Sequence, residues 1–268
     1  MTPAAAPGRI EVLNGSQLYF EVHGTGEPLF LLHGFTGCSQ NWLTSKDQWG
    51  NEFQLIIPDL RGHGRSGVLS QPFRHEDAAN DMIALLDHLG IESCKGVGVS
   101  CGGNVLLHMA TRQPKRIKAM VLVSATPYFP DQARQIMSAY GESLPEQQLE
   151  MLRKQHPGGD KQIQILMAST KAFATSYDDM NFDAQRLANI EARTLIVQGD
   201  SDPLYPVQIS IEMASAIPRS KLWVIPGGGH GPVFGERWPE FIELASSICR
   251  NSLFVPQLPA GKTGNLEY

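Results

Sequence analysis

Gly98-Val99-Ser100-Cys101-Gly102 closes an apolar run and leads into Gly103-Asn104-Val105-Leu106-Leu107-His108-Met109-Ala110, a segment with the character of a helix start. The reading is a strand that turns sharply into a helix, with a serine on the turn. Glycine is required at 98 and 102 because a side chain there would collide with neighbouring backbone. Ser100, held between them, is expected in a strained conformation that projects its hydroxyl outward. A serine hydroxyl is a poor nucleophile at neutral pH, so chemistry at this turn needs an imidazole to take the proton and a carboxylate to orient that imidazole.

Working outward, four further apolar runs end in loops of unusual composition. Leu29-Phe30-Leu31-Leu32 runs into His33-Gly34-Phe35-Thr36-Gly37, and Phe53-Gln54-Leu55-Ile56-Ile57 runs into Pro58-Asp59-Leu60-Arg61-Gly62-His63-Gly64-Arg65-Ser66. Downstream, Thr194-Leu195-Ile196-Val197 leads to Gln198-Gly199-Asp200-Ser201-Asp202-Pro203, and Leu222-Trp223-Val224-Ile225 leads to Pro226-Gly227-Gly228-Gly229-His230-Gly231. Each run reads as a buried parallel strand, and the loops beyond the C-terminal ends of such strands are where an open α/β sheet forms its sites.

These segments, spanning roughly residues 10 to 250, resemble the α/β-hydrolase superfamily, with Gly98–Gly102 as its nucleophile elbow and the chain order serine, aspartate, histidine. The resemblance implies a serine carboxylesterase-like enzyme in which Ser100 is the nucleophile, His230 the base and Asp202 the acid. The family pattern of a glycine, two residues and an aspartate selects Asp202 over Asp200, which is expected to support its loop. An acid after the sixth strand is the known variant, but Val123-Ser124-Ala125-Thr126 carries no carboxylate there. By the same resemblance the backbone amides of Phe35 and Cys101 form the oxyanion hole, His33 belongs to the oxyanion loop as a structural residue, and His63 sits in a structural turn. Asp59 is expected to bond backbone amides in that turn. The loop at 33–37 lacks the run of glycines found in HGGG-type esterases, which argues against bulky tertiary-alcohol esters. Cys101 stands where many relatives carry methionine, and is expected to be a small buried side chain.

The same framework resembles lactone hydrolases, carbon–carbon bond hydrolases, perhydrolases, the lyase of menaquinone synthesis and, as a further class, ligand receptors with little turnover; fold and triad do not separate these. Gly96-Val97-Gly98 lacks a third glycine in register for a dinucleotide site, so no cofactor is expected.

Composition narrows the remaining classes. The chain has 268 residues, 42% hydrophobic and 18% charged, enough for one large core. A net charge of −5 without like-charged blocks gives nucleic-acid binding no electrostatic support, and the apolar runs are strand-length, so no membrane span is expected. Four scattered cysteines, Cys38, Cys94, Cys101 and Cys249, have neither metal-ligand spacing nor the density of a disulfide scaffold. The expectation is a cytoplasmic enzyme with a small-molecule ester substrate and no metal; oligomeric state is left open.

The organisation follows. Alternating runs joined through Asn14-Gly15 predict an antiparallel hairpin at the sheet edge. With strands near 28–32, 53–57, 95–99, 118–123, 193–197 and 221–225, an eight-stranded, mostly parallel sheet is expected. Helices are predicted over His75 to Leu89, Val105 to Arg112, Val207 to Ala216 and Trp238 to Cys249. Between about 127 and 186 the strand rhythm stops, and this segment resembles the helical cap that the family inserts after its sixth strand, leaving 1–126 and 187–255 as the core and 256–268 as a tail. Met137, Met151, Met167, Met180, Tyr140, Phe173, Tyr177 and Phe182 lie in it; most are expected to pack internally and the rest to line an acyl pocket.

Overall fold

The structure is a computed structural model that describes residues 8–140 and 144–250. The opening 1–7 and the expected tail lie outside the described residues. Eight strands form one sheet: β1 Arg9–Leu13, β2 Ser16–His23, β3 Glu27–Leu32, β4 Phe53–Pro58, β5 Cys94–Val99, β6 Ile117–Val123, β7 Arg193–Gly199 and β8 Ser220–Ile225. Their spatial order is β1-β2-β4-β3-β5-β6-β7-β8. The hairpin turns at Asn14 and Gly15, both at positive φ, and pairs antiparallel with β4; every later pairing is parallel.

Register decides where the site forms. Leu32 is level with Gly98, Val99 with Val123, Val123 with Val197, and Gly199 with Ile225. The C-terminal ends of five parallel strands therefore share one rim, and the loops carrying His33, Ser100, Ser124, Asp202 and His230 all leave from it.

Successive residues of a strand point to opposite faces, which splits the core in two. Phe30, Leu32, Ile56, Met120 and Leu122 pack on one face with Met82 and Leu86 of α2 (His75–His88) and Leu106 of α3 (Cys101–Arg112). Leu29, Leu31, Leu55, Val97, Val121 and Val197 pack on the other with Trp42, Trp49 and Phe241. Trp49 belongs to the short helix α1 (Lys46–Trp49) and Phe241 to α9 (Trp238–Cys249); the Trp49 Nε1–H donates to Ser246 Oγ at 2.8 Å. At about 1.5–3 kcal/mol per fully buried large apolar side chain, these two layers dominate the stability.

Between β6 and β7 stand α4 (Asp131–Ala139), α5 (Glu146–Gln155), α6 (Gly159–Phe173) and α7 (Ala184–Leu187), and α8 (Val207–Ala216) follows β7. The turn of helix at Ser39–Trp49 lacked a clear sequence signal, because its apolar residues are few: two tryptophans and Leu43, which is exposed. The helix after Ser100 begins at Cys101 rather than at Val105: Gly102 and Gly103 are poor helix formers, but their bare backbones are what lets this turn lie against the sheet. Among the described residues no helix is long and apolar enough to cross a membrane.

Candidate active site

The elbow is as tight as its glycines suggest. A Cβ on Gly98 would stand 2.4 Å from the Gly102 carbonyl carbon, and one on Gly102 would stand 2.3 Å from the Leu32 oxygen. Ser100 sits at φ 50° and ψ −113°, a region that side chains pay to enter, and its amide donates to the Val123 oxygen at 2.7 Å. That conformation turns the side chain out of the strand and into a cavity of about 350 Å³.

His230, in the glycine-rich loop after β8, places Nε2 2.9 Å from Ser100 Oγ. Its Nδ1 lies 2.8 Å from Asp202 Oδ2. Asp202 side-chain atoms are fully shielded, and all its lone pairs are engaged: the amides of Leu204 and Tyr205 donate to Oδ1 at 2.8 and 3.2 Å, and Gln198 Nε2 donates to Oδ2 at 2.9 Å. Burial works to raise this carboxyl, but the hydrogen bond and charge of His230, with the two amides, outweigh it and hold the group below its ordinary value. An ionised Asp202 fixes Nδ1 as a donor, which leaves Nε2 with the lone pair that a serine proton needs. Asp200 faces elsewhere, accepting from the Gly227 amide at 2.7 Å and Ser201 Oγ at 3.0 Å.

The other residues singled out in the sequence have separate structural partners. His33 is buried; it donates from Nδ1 to the Gly34 oxygen at 2.8 Å and accepts the Leu60 amide on Nε2 at 3.0 Å. Burial lowers its pKa, in keeping with the neutral ring those two bonds require. Asp59 accepts the amides of Ser39 at 2.6 Å and Arg65 at 2.7 Å. His63 is buried against Phe35 and Phe73, with Nδ1 on the Arg61 oxygen at 2.9 Å. Cys101 opens α3, so its amide has no acceptor within the helix, and burial pushes its thiol well up. Phe35 and Cys101 line the cavity together with Ser100 and His230.

Several contributors had no sequence signal. Ser124, at φ 49°, accepts the Gly231 amide on Oγ at 3.0 Å and so braces the loop next to His230. Asn104 accepts the Thr126 amide at 2.9 Å under the elbow. From the α5–α6 turn His156 accepts the Gly64 amide at 2.8 Å and faces the Thr36 oxygen at 3.0 Å, while Gln162 Nε2 donates to the oxygens of Gly62 and Gly64. These bonds tie the helices between β6 and β7 to the loops that follow β3 and β4. They join residues about a hundred positions apart, which is why no local pattern announces them. Of the methionines and aromatics between β6 and β7, Met137, Tyr140 and Phe173 line the cavity, Met180 and Phe182 are buried, and Met151 and Tyr177 are exposed.

Comparisons with known proteins agree with the architecture. The model of the alpha/beta hydrolase fold family matches residues 27–153 and 133–236. A protein assigned as a carbamate hydrolase, RutD, from Azorhizobium caulinodans is 26% identical over 266 residues, covering 87% of this chain and 95% of its own. The pimeloyl-(acyl-carrier protein) methyl ester esterase of Vibrio vulnificus is 26% identical over 261 residues, covering 89% and 97%. A non-heme haloperoxidase and a 2-hydroxymuconate semialdehyde hydrolase match at similar levels. Among solved structures, a thermophilic esterase from Thermogutta terrifontis superposes with a TM-score of 0.74 at 24% identity, covering 92% of this chain and 99% of its own. With the sheet order, the strand-to-helix serine turn and a family match over most of its length, this chain belongs to the alpha/beta hydrolase fold family.

Proposed function

We propose that this hydrolase cleaves carboxylic esters of short to medium acyl chains through an acyl-serine intermediate. The observation that carries the reading is the unbroken chain Ser100 Oγ, His230 Nε2, His230 Nδ1, Asp202 Oδ2, at 2.9 and 2.8 Å, opening on a cavity with mostly apolar walls. In this reading His230 removes the Ser100 proton as the oxygen attacks the ester carbonyl, and Asp202 stabilises the imidazolium that forms. The former carbonyl oxygen becomes an oxyanion that the amides of Phe35 and Cys101 receive, the latter helped by the positive end of the α3 dipole. His230 then protonates the leaving alcohol, and in the second half it activates a water to release the acid and free Ser100.

A cavity of about 350 Å³ lies at the small end of ligand pockets, which supports short or medium acyl groups over long ones. The helices between β6 and β7 act as a cap over residues 127–186, supplying Met137, Tyr140, Thr170 and Phe173 to its wall. The Vibrio relative is an ester hydrolase of matching length, which supports this chemistry.

A rate series on p-nitrophenyl esters of increasing acyl length tests the reading. Native protein is expected to turn over repeatedly with an optimum at short or medium chains. Ser100→Ala should lose about 10⁴-fold or more in kcat. Retained turnover in clean Ser100→Ala, or no turnover of any ester by native protein, would overturn it.

A further inference from the structure

The cavity that holds Ser100 includes one imidazole outside the chain Ser100–His230–Asp202: that of His75, the first residue of α2. His75 is 2% exposed, and the rings of Phe173, Phe73 and Phe129 stand 5.0, 5.3 and 5.8 Å from it. An imidazole buried among phenylalanines is costly unless it is hydrogen-bonded. Asp179, from the segment after α6, meets that need, with Oδ2 2.8 Å from His75 Nδ1. The same carboxylate accepts the amides of His75 at 2.8 Å and Glu76 at 3.0 Å, which fixes both its own position and the plane of the ring. Burial works to raise the Asp179 carboxyl, but the bonds and charge of His75 and the two amides prevail and hold it well below the usual carboxylate range.

An ionised Asp179 commits Nδ1 to donating, so Nε2 is the polar edge that the ring has left for a ligand. The surrounding wall is apolar at Phe129, Met137 and Phe173; of its polar residues, Asn104 and Thr170 are already bonded to the Thr126 amide and the Leu166 oxygen, while Thr36 and Tyr140 also line the cavity. Leucine at 75 would suit the phenylalanines around it without a buried carboxylate; an oriented imidazole in its place is the kind of fixed polar group by which a pocket selects one function on its ligand.

We propose that His75 is a specificity-determining residue whose Nε2 receives a hydroxyl group on the acyl chain of the substrate, so that the preferred substrates are esters of hydroxylated acids. A hydroxyl suits this ring in both of its forms: it donates to a neutral Nε2 and accepts from a protonated one, whereas a ketone or carboxylate needs the protonated ring. The inference rests on the ester-hydrolase reading for its reaction, though not for its binding contact.

The test pairs p-nitrophenyl esters of ω-hydroxyalkanoates, from 3-hydroxypropanoate to 6-hydroxyhexanoate, with alkyl esters in which a methyl replaces the hydroxyl. The readout is the ratio of kcat/KM within each pair. At one chain length native protein should prefer the hydroxylated ester by about tenfold or more, the range of one good hydrogen bond to a buried group. His75→Asn, whose amide overlays Nδ1 and keeps the Asp179 contact, should bring the ratio to about one or below, while His75→Gln, whose amide overlays Nε2, should keep part of the preference. A merely structural His75 would shift both esters alike and leave the ratio in place. Calorimetric binding of the corresponding methyl esters to Ser100→Ala reads the same preference without turnover. Ester turnover with no hydroxyl preference at any length, or a preference that survives in His75→Asn, overturns the inference alone. Absence of ester turnover together with a hydroxyl binding preference lost in His75→Asn overturns the ester reading and leaves the subsite standing.

Discussion

Two histidines that line one cavity of this protein, His230 and His75, are each held by a buried aspartate, and the two bonds are the same length. Asp202 meets His230 Nδ1 at 2.8 Å, and Asp179 meets His75 Nδ1 at 2.8 Å. They differ in what surrounds the second nitrogen. The His230 side chain is 26% exposed, hangs on a loop and reaches Ser100; the His75 side chain is 2% exposed, begins a helix and is walled by phenylalanines. The carboxylate–imidazole bond is therefore only an orienting device. Whether it serves proton transfer or substrate recognition depends on the group set against Nε2 and on how far water reaches it.

The comparison makes unequal predictions for the two acids. Asp202→Asn should cost about 10⁴-fold in kcat, because the amide favours the wrong imidazole tautomer while the fold is kept. Asp200→Asn, which disturbs only the Gly227 amide and Ser201, should stay within about tenfold of native. Steady-state rates on a p-nitrophenyl ester check both, and the opposite ranking would transfer the orienting role to Asp200.

Asp179→Ala should act on stability instead. It strips a buried imidazole and two amides of their acceptor at once, and the expected loss in urea denaturation is about 3–5 kcal/mol. A loss below about 1 kcal/mol would mean that Asp179 does not satisfy these buried donors. The difference between the two acids, one read in rate and the other in unfolding, is the sharpest form of the comparison.

The smallest effect concerns His108, whose Nε2 lies 3.8 Å from the same Asp179 and whose pKa burial pushes down to about 3. A histidine whose folded value lies below its unfolded one binds protons more readily when unfolded. Its stabilisation is whole above about pH 6.5 and is lost as pH falls from there toward the folded value, at about 1.4 kcal/mol per pH unit for one proton. Urea denaturation between pH 6.5 and 4.5 should show stability falling with acidification, and His108→Leu, beside Phe182, should flatten that slope by one proton's worth. An unchanged slope would show that His108 is not held neutral.

Much of the architecture could be read from the chain because its signals are local. Asn14-Gly15 needs no distant partner to make a hairpin, and the spacing of Ala79, Met82, Ile83 and Leu86 is enough to mark one face of α2. The elbow was legible for the same reason: Gly98 and Gly102 lie two residues either side of Ser100, and the collision that Gly98 avoids, with the Gly102 carbonyl, is encoded within five positions, whereas the one that Gly102 avoids is with Leu32. His156 and Gln162 were not legible, since their partners at 36, 62 and 64 are about a hundred residues away and any polar side chain in a helix turn looks solvated. Nor is Ser124 legible as a brace, because its role exists only once β6 and β8 stand in the same sheet.

By itself, then, the sequence determined the strand rhythm, the serine turn and the short list of acids and imidazoles beyond the strand ends, because periodicity and backbone sterics act over a few residues. Tertiary structure decided which of them meet. The parallel register brings five strand ends to one rim, turns Asp202 rather than Asp200 toward His230, and folds Asp179 back onto His75. Those outcomes depend on the positions of whole strands and helices, and the hydrophobic packing that sets those positions sums contacts over the entire chain.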